Sequence, residues 1–159
     1  MKRLRKGIAL CLGVGVGAFV LAGCALTGGG WMYSAISNSS KATFGFDLVC
    51  DGSNHVVGPW TYHDKAASID VAGEVTADDN IPCDSGVGLP PATSTWHVSY
   101  TAQHCSSDCS GTADITVTDS GINGKPPRGD QLTISLTGGV DDGYENDGTV
   151  QGGNLIIGS

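Results

Sequence analysis

Basic residues are scarce: 8 Lys and Arg stand against 16 Asp and Glu in 159 residues, a net charge of −8 with histidine neutral. Four of the eight, Lys2, Arg3, Arg5 and Lys6, crowd the first six positions. Beyond residue 23 only Lys41, Lys65, Lys125 and Arg128 remain, which leaves 4 − 16 = −12 for that part of the chain. A surface of this sign has no footprint for a phosphate backbone and is repelled by anionic lipid head groups, so nucleic-acid binding is excluded. Helix signals are missing as well. No extended window after Ala25 carries an apolar stripe at helical spacing, and 25 glycines weigh against long helices. Catalytic spacings are equally absent, with no G-x-S-x-G, S-x-x-K or H-E-x-x-H and no C-x2-C pair.

What the chain does contain begins at its N-terminus. The basic cluster is followed by an apolar run from Gly7 to Gly23, 17 residues interrupted by glycines, shorter than the roughly 20 residues a membrane-spanning helix needs. It ends in Leu21-Ala22-Gly23-Cys24, which resembles the lipobox of bacterial lipoproteins. The resemblance implies a signal peptide over 1–23, cleavage before Cys24 and a diacylglycerol on its sulfur; an uncleaved transmembrane anchor is the alternative. Two acyl chains meet the two-signal requirement for stable anchoring. The expected partner is therefore a cell membrane, with the protein facing outside the cytoplasm and the leaflet left open. Residues 24–40 are Gly- and Ser-rich, broken only by Trp31, Met32 and Tyr33, and read as the lipidated cysteine and a flexible tether.

From Lys41 the apolar period becomes two, the signature of strands with one buried face. Ala42, Phe44, Phe46 and Leu48 share one parity; so do Ile69, Val71 and Val75, then Trp96, Val98 and Tyr100, then Ile115 and Val117, then Leu132, Ile134 and Leu136. Strands are predicted near 42–49, 56–63, 67–75, 95–103, 112–118 and 131–137, with a closing pair near 148–151 and 154–157 turning at Gly152-Gly153. The fold class is all-β: a single antiparallel β-sandwich or small barrel of about seven or eight strands over 41–159.

Cysteine use fits an oxidising compartment. With Cys11 in the signal peptide and Cys24 lipidated, Cys50, Cys83, Cys105 and Cys109 form an even set whose spacings of 33, 22 and 4 match no common zinc module. If successive strands run up and down, Cys50 and Cys83 fall at one end and Cys105 and Cys109 at the other. Two bridges, Cys50 with Cys83 and Cys105 with Cys109, then satisfy the limit of about 7 Å between Cα atoms; a Greek-key crossover would exchange the partners.

The residues able to carry chemistry are scattered. His63 and His97 have the polar parity of their strands, and they would join Asp64 at a transition metal only if those strands lay close; His55 and His104 complete the set. Two loops are rich in oxygen donors, the first with Asp119, Asn123 and Asp130, the second with Asp141, Asp142, Glu145, Asn146 and Asp147. Such loops can hold Ca²⁺ through six to eight oxygens, although neither follows the order of a helix-loop-helix calcium site; turn preference and solubility explain the same composition. Arg128-Gly129-Asp130 spells an adhesion tripeptide that reads here as a turn into a strand. A pair of carboxylates for glycoside hydrolysis is not singled out by any spacing.

The second half of the domain carries a broader likeness. Ala113-Asp-Ile-Thr-Val-Thr-Asp-Ser-Gly-Ile-Asn-Gly, Gly129-Asp-Gln-Leu-Thr-Ile-Ser-Leu, Gly143-Tyr144 and Gly148-Thr-Val-Gln-Gly-Gly-Asn-Leu-Ile-Ile resemble the post-COAP module of secreted bacterial proteins. Ala42-Thr-Phe-Gly-Phe and Gly58-Pro-Trp-Thr-Tyr-His-Asp64 resemble its opening strands. The resemblance implies an all-β secreted domain without an assigned activity. Together these features predict a non-enzymatic envelope lipoprotein whose loops bind an extracellular glycan or protein and which needs no cofactor. A Ca²⁺- or carbohydrate-binding module and a carboxylate-dependent hydrolase are the alternatives.

Overall fold

The period-two pattern is realised as nine strands in a computed structural model that describes residues 24–83, 92–121 and 129–157. They are β1 (Cys24–Ser34), β2 (Ser37–Cys50), β3 (Val56–Asp64), β4 (Ile69–Val75), β5 (Ala92–Ala102), β6 (Ser110–Asp119), β7 (Gln131–Thr137), β8 (Glu145–Thr149) and β9 (Gly152–Ile156). All pairings are antiparallel, and one sheet runs β8-β7-β6-β5-β4-β3-β2-β1-β9, curled into a half-barrel. The all-β, antiparallel expectation holds, but nine strands replace seven or eight, and the core lies inside one curled sheet instead of between two stacked ones.

Alternation sets the core. β5 alternates buried and exposed along all its residues, which sends Trp96, Val98 and Tyr100 inward. Trp60, Tyr62, Leu48, Ile115 and Ile134 meet them from neighbouring strands. The outward parity of β5 and β6 is largely threonine, with Thr93 and Thr118 in hydroxyl contact at 2.9 Å and Thr95 and Thr116 likewise, the usual role of a β-branched polar residue on a solvated face.

The two edges of the sheet, β8 and β9, are consecutive in the chain and separated only by Val150 and Gln151. Two residues reach only about 10 Å between the flanking strand ends, and both strands run toward the same end, so β8 and β9 follow one another in line where the two edges of the sheet meet. The Val150 N–H donates to the Asp130 carbonyl at 2.8 Å and the Gln151 N–H to the Trp31 carbonyl at 2.8 Å, so the segment is pinned first to the β7 side and then to β1. The chain thus passes from one edge of the sheet to the other along a seam.

Three sequence expectations change. Residues 24–40 are not a tether: β1 pairs with β2 from Cys24↔Val49 to Ser34↔Ser37 and with β9 from Thr27↔Ile156 to Trp31↔Gly152. Leu26 and Met32 are fully buried, but the inward positions between them are Gly28 and Gly30, so the apolar alternation that marks a strand is not written there. The last two strands do not pair with each other, because β8 pairs with β7 and β9 with β1. Gly152-Gly153 is accordingly no hairpin turn. Gly153 has φ +95°, and a Cβ there would overlap the Gly29 carbonyl oxygen, so glycine is required by a left-handed backbone and a close backbone approach.

Successive antiparallel strands divide the loops between two ends. The turns at 35–36, 65–68, 103–109 and 138–144 share one end, called here the far end. Cys24, the 51–55 turn, Cys83, Asp119 and Ile157 share the other, the base. Cys50 is bonded to Cys83 at the base, with Cα atoms 5.7 Å apart, and Cys105 to Cys109 at the far end, 5.5 Å apart.

Candidate functional site

The far end is organised by an acidic residue on an apolar face. In β3 the inward parity runs Trp60, Tyr62, Asp64, so the strand delivers a carboxylate into the core, where its exposure is 0%. A buried charge persists only when fully hydrogen-bonded, and Asp64 is surrounded by donors. Oδ1 accepts from the N–H groups of Ala66 at 3.1 Å and Ala67 at 3.3 Å, and Oδ2 from the Ala35 N–H at 3.3 Å and the Tyr144 hydroxyl at 2.9 Å. One side chain therefore ties the β1–β2, β3–β4 and β7–β8 turns together.

The chain of bonds continues in one direction. Tyr144 spends its only proton on Asp64, so Tyr62 donates to the Tyr144 oxygen across 2.7 Å. Asn146 Nδ2 in turn donates to the Tyr62 oxygen at 2.7 Å and to the Tyr33 carbonyl at 3.0 Å. Burial, first, and then Tyr62 and Asp64 push the Tyr144 phenol far above its ordinary value. Burial raises Tyr62 too, with its contacts to Tyr144 and Asn146 opposing and the Asp64 charge adding.

The sign of the pH dependence follows. Both phenols hold their protons in the folded protein where the unfolded chain releases them, near pH 10, so above that value the folded state binds more protons and stability falls with pH. The expected loss is roughly 1.4 kcal/mol per pH unit for each such tyrosine. Denaturant titrations from neutral to strongly alkaline pH, read with tyrosinate absorbance, check this. Tyr144→Phe should make the decline shallower by one proton; an unchanged slope would remove Tyr144 from the account.

Beside this network lies an open groove. A depression of about 440 Å³ is bordered by Ala35, Thr133, Ser135, Glu145, Asn146 and Asp147. A second, of about 290 Å³, shares Ala35, Asn146 and Asp147 and extends to Tyr33, Asn38 and Thr149. The two are halves of one groove astride β8. The Leu136 N–H bond to the Tyr144 carbonyl and the Val150 N–H bond to the Asp130 carbonyl, both 2.8 Å, set the ladder phase. Asn146 and Gly148 therefore direct their backbone groups at β7, and Glu145, Asp147 and Thr149 direct theirs at the seam. There β8 has no strand partner among the described residues, and the Asn146 side chain crosses to Tyr33 instead. On the rim Tyr33 is 44% exposed, edge-on to Trp31 with ring centroids 5.6 Å apart, and the Lys41 ammonium lies 4.1 Å from the Trp31 ring centre.

The residues singled out for calcium do not converge. Asp119 and Asp130 are buried and spent on backbone: Asp119 accepts from the Gly121 N–H at 2.7 Å and the Ile157 N–H at 3.2 Å. Asp130 accepts from the Ser120 N–H and hydroxyl at 3.1 and 3.0 Å and from the Leu155 N–H at 3.4 Å. That burial also removes Asp130 from any adhesion role for 128–130. Asp142 accepts from the Gly138 N–H at 2.7 Å within the β7–β8 turn, and burial raises the carboxyl of Asp141. Asp147 faces the groove, and Asn123 lies outside the described residues. Among the described residues no group of three or more His, Cys, Asp or Glu is arranged to hold a metal ion.

The histidine reading fails for a simpler reason. β4 separates β3 from β5, and Asp64 points inward while His63 points out. His63 and His104 flank Asp70 at 3.5 and 3.1 Å, His97 meets Asp114 at 2.6 Å, and His55 lies 3.8 Å from Asp51. In the sequence Asp64 stands out only as a neighbour of His63 and Asn146 only as a donor of the second oxygen-rich loop, and no spacing shows the bonds that join them through Tyr62 and Tyr144. The available signal was a charge at the inward parity of a strand. The chain matches no protein-family model, no curated protein and no solved structure.

Proposed function

We propose that the chain is an exported, non-enzymatic binding module, held on the outer side of a cell membrane by a diacylglycerol on Cys24, and that its far-end groove takes an extended envelope glycan. The observation that carries this is the groove astride β8. Carboxylate, amide and hydroxyl groups from Glu145, Asp147, Asn38, Thr133 and Ser135 border it beside the edge of β8 that no strand pairs among the described residues, and Tyr33 stands exposed on its rim. Sugar rings offer hydroxyls that such groups bind in pairs and apolar faces that stack on an aromatic ring. Asp64 fixes the turns that frame the groove, so little ordering is needed on binding.

A surface protein is the second reading, favoured by Ile36 and Val140, which are 67% and 60% exposed on turns of the same end. Calorimetric titration of the mature chain with soluble cell-wall glycan strands, run beside capture from an envelope protein extract, separates the two. Tyr33→Ala and Asp147→Ala touch the groove without entering the core; each is expected to weaken glycan binding about tenfold, or about 1.4 kcal/mol. Retention of a protein with no glycan heat would transfer the role to the second reading. Appearance of cleaved glycan would overturn the non-enzymatic assignment.

A further inference from the structure

Cys24 is not at the end of a leash. Its backbone is already in register with Val49 at the start of β1, and three residues later Thr27 is in register with Ile156 of β9. Val49 and Ile156 are large apolar residues on the outer face, 36% and 48% exposed, and they flank the first residues of β1 on its two sides. Among the described residues, the other exposed large apolar ones, Tyr33, Ile36 and Val140, belong to the far end.

We propose that the base is a membrane seat: with its lipid in the leaflet, Cys24 brings Val49 and Ile156 into the head-group layer, and the groove faces directly away. This rests on the lipidation of Cys24 proposed above. Magnitudes separate it from a tethered domain. A flexible linker of sixteen residues would lift the domain by roughly 20–25 Å. A residue facing Cys24 across a ladder lies only about 5 Å from it. From Cys24 to Ser34, ten strand steps at about 3.3 Å put the far end roughly 33 Å along the strand, beyond the leaflet surface. The partner is a neutral leaflet, because the acidic base, with Asp47, Asp51, Asp78 and Asp79 near it, would be held off by anionic lipid within about 10 Å.

The test uses the full lipoprotein, purified from membranes and reconstituted in phosphatidylcholine vesicles carrying a head-group quencher. An environment-sensitive fluorophore is attached in turn to Val49→Cys, Ile156→Cys, Ile36→Cys and Val140→Cys, with both native bridges confirmed by mass. Quenching several-fold stronger at the two base sites supports the seat. Equal, weak quenching at all four, with diacylglycerol present by mass, overturns the seat and leaves the lipoprotein reading standing. Absence of diacylglycerol removes both. Where a new cysteine reshuffles the bridges, hydrogen exchange of the unmodified protein reads the same geometry: on vesicles, exchange over 49–55 should slow several-fold relative to a Cys24→Ser variant, while 35–38 stays unchanged. Equal exchange at both ends would again overturn the seat.

Discussion

Asp64→Ala is expected to cost about 4 kcal/mol of folding stability, a large part of the 5–15 kcal/mol that holds a typical domain. The substitution removes the acceptor for the N–H groups of Ala35, Ala66 and Ala67 and for the Tyr144 hydroxyl. Each donor left unsatisfied in a buried site costs roughly 1–3 kcal/mol, reduced where water enters the turn. Asp64→Asn discriminates between charge and shape. It keeps the volume and one acceptor oxygen but turns an NH₂ toward donors, so at least one pair of partners meets a donor instead of an acceptor. Its loss should fall between that of Tyr144→Phe, which removes a single donor, and that of the alanine variant. Chemical denaturation with matched slopes measures the series. If Asp64→Ala unfolds at the same denaturant concentration as the parent, the far-end turns are held by something other than this carboxylate.

The consequence reaches the groove. Ala35 borders both halves of it, and Asn146, on its floor, is oriented by Tyr62 and the Tyr33 carbonyl. Loosening Asp64 therefore disorders the binding surface before it unfolds the domain, and glycan affinity should drop in the surviving folded fraction of the Asn variant. A rim substitution such as Asp147→Ala, by contrast, should alter affinity and leave stability nearly unchanged, because Asp147 is exposed on the outward parity of β8.

Much of this architecture is legible in the chain because a strand with one wet face writes its parity in side chains. β5 and β7 are examples, with every second residue buried and, apart from Ser94, apolar. β1 is not legible by the same rule. At Gly30 a Cβ would overlap the Gly152 carbonyl oxygen, so the inward site is filled by neighbouring backbone and no apolar letter appears. The seam was hidden for a different reason: a glycine pair between two short strands has the composition of a hairpin turn, and only the three-dimensional closure of the sheet puts those strands on opposite edges. The acidic loops show the limit of composition most plainly. Asp, Asn and Gly clustered between strands are compatible with a cation, a turn or a cap, and the choice depends on which N–H groups the fold brings near. Asp119 and Asp130, separated by eleven positions, address alternate N–H groups of a strand that the chain reaches some 25 residues after Asp130.

That arrangement is the basis of the second large effect, Asp130→Ala, expected to cost about 3 kcal/mol. β9 is an edge strand with one side on β1, and its other side would present a row of bare N–H groups, the usual template for unwanted strand pairing. Gly153 breaks the alternation of the segment, so that Gln151 directs its N–H at β1 while Leu155 and Ile157 direct theirs at the two carboxylates. Removing Asp130 orphans the Leu155 N–H and takes away the acceptor of two Ser120 bonds; Asp119 still holds Ile157, so the seam should open from the Leu155 side first. Amide exchange should accelerate strongly at Leu155 and more weakly at Ile157 while the β5–β6 ladder stays protected, and the variant should associate at high concentration through the uncovered edge. Asp119→Ala should reverse the order of the two amides. Were both amides to exchange at the parental rate in Asp130→Ala, the carboxylates would not be what closes the seam, and the contacts of Val150 and Gln151 would have to be sufficient to hold the two edges together.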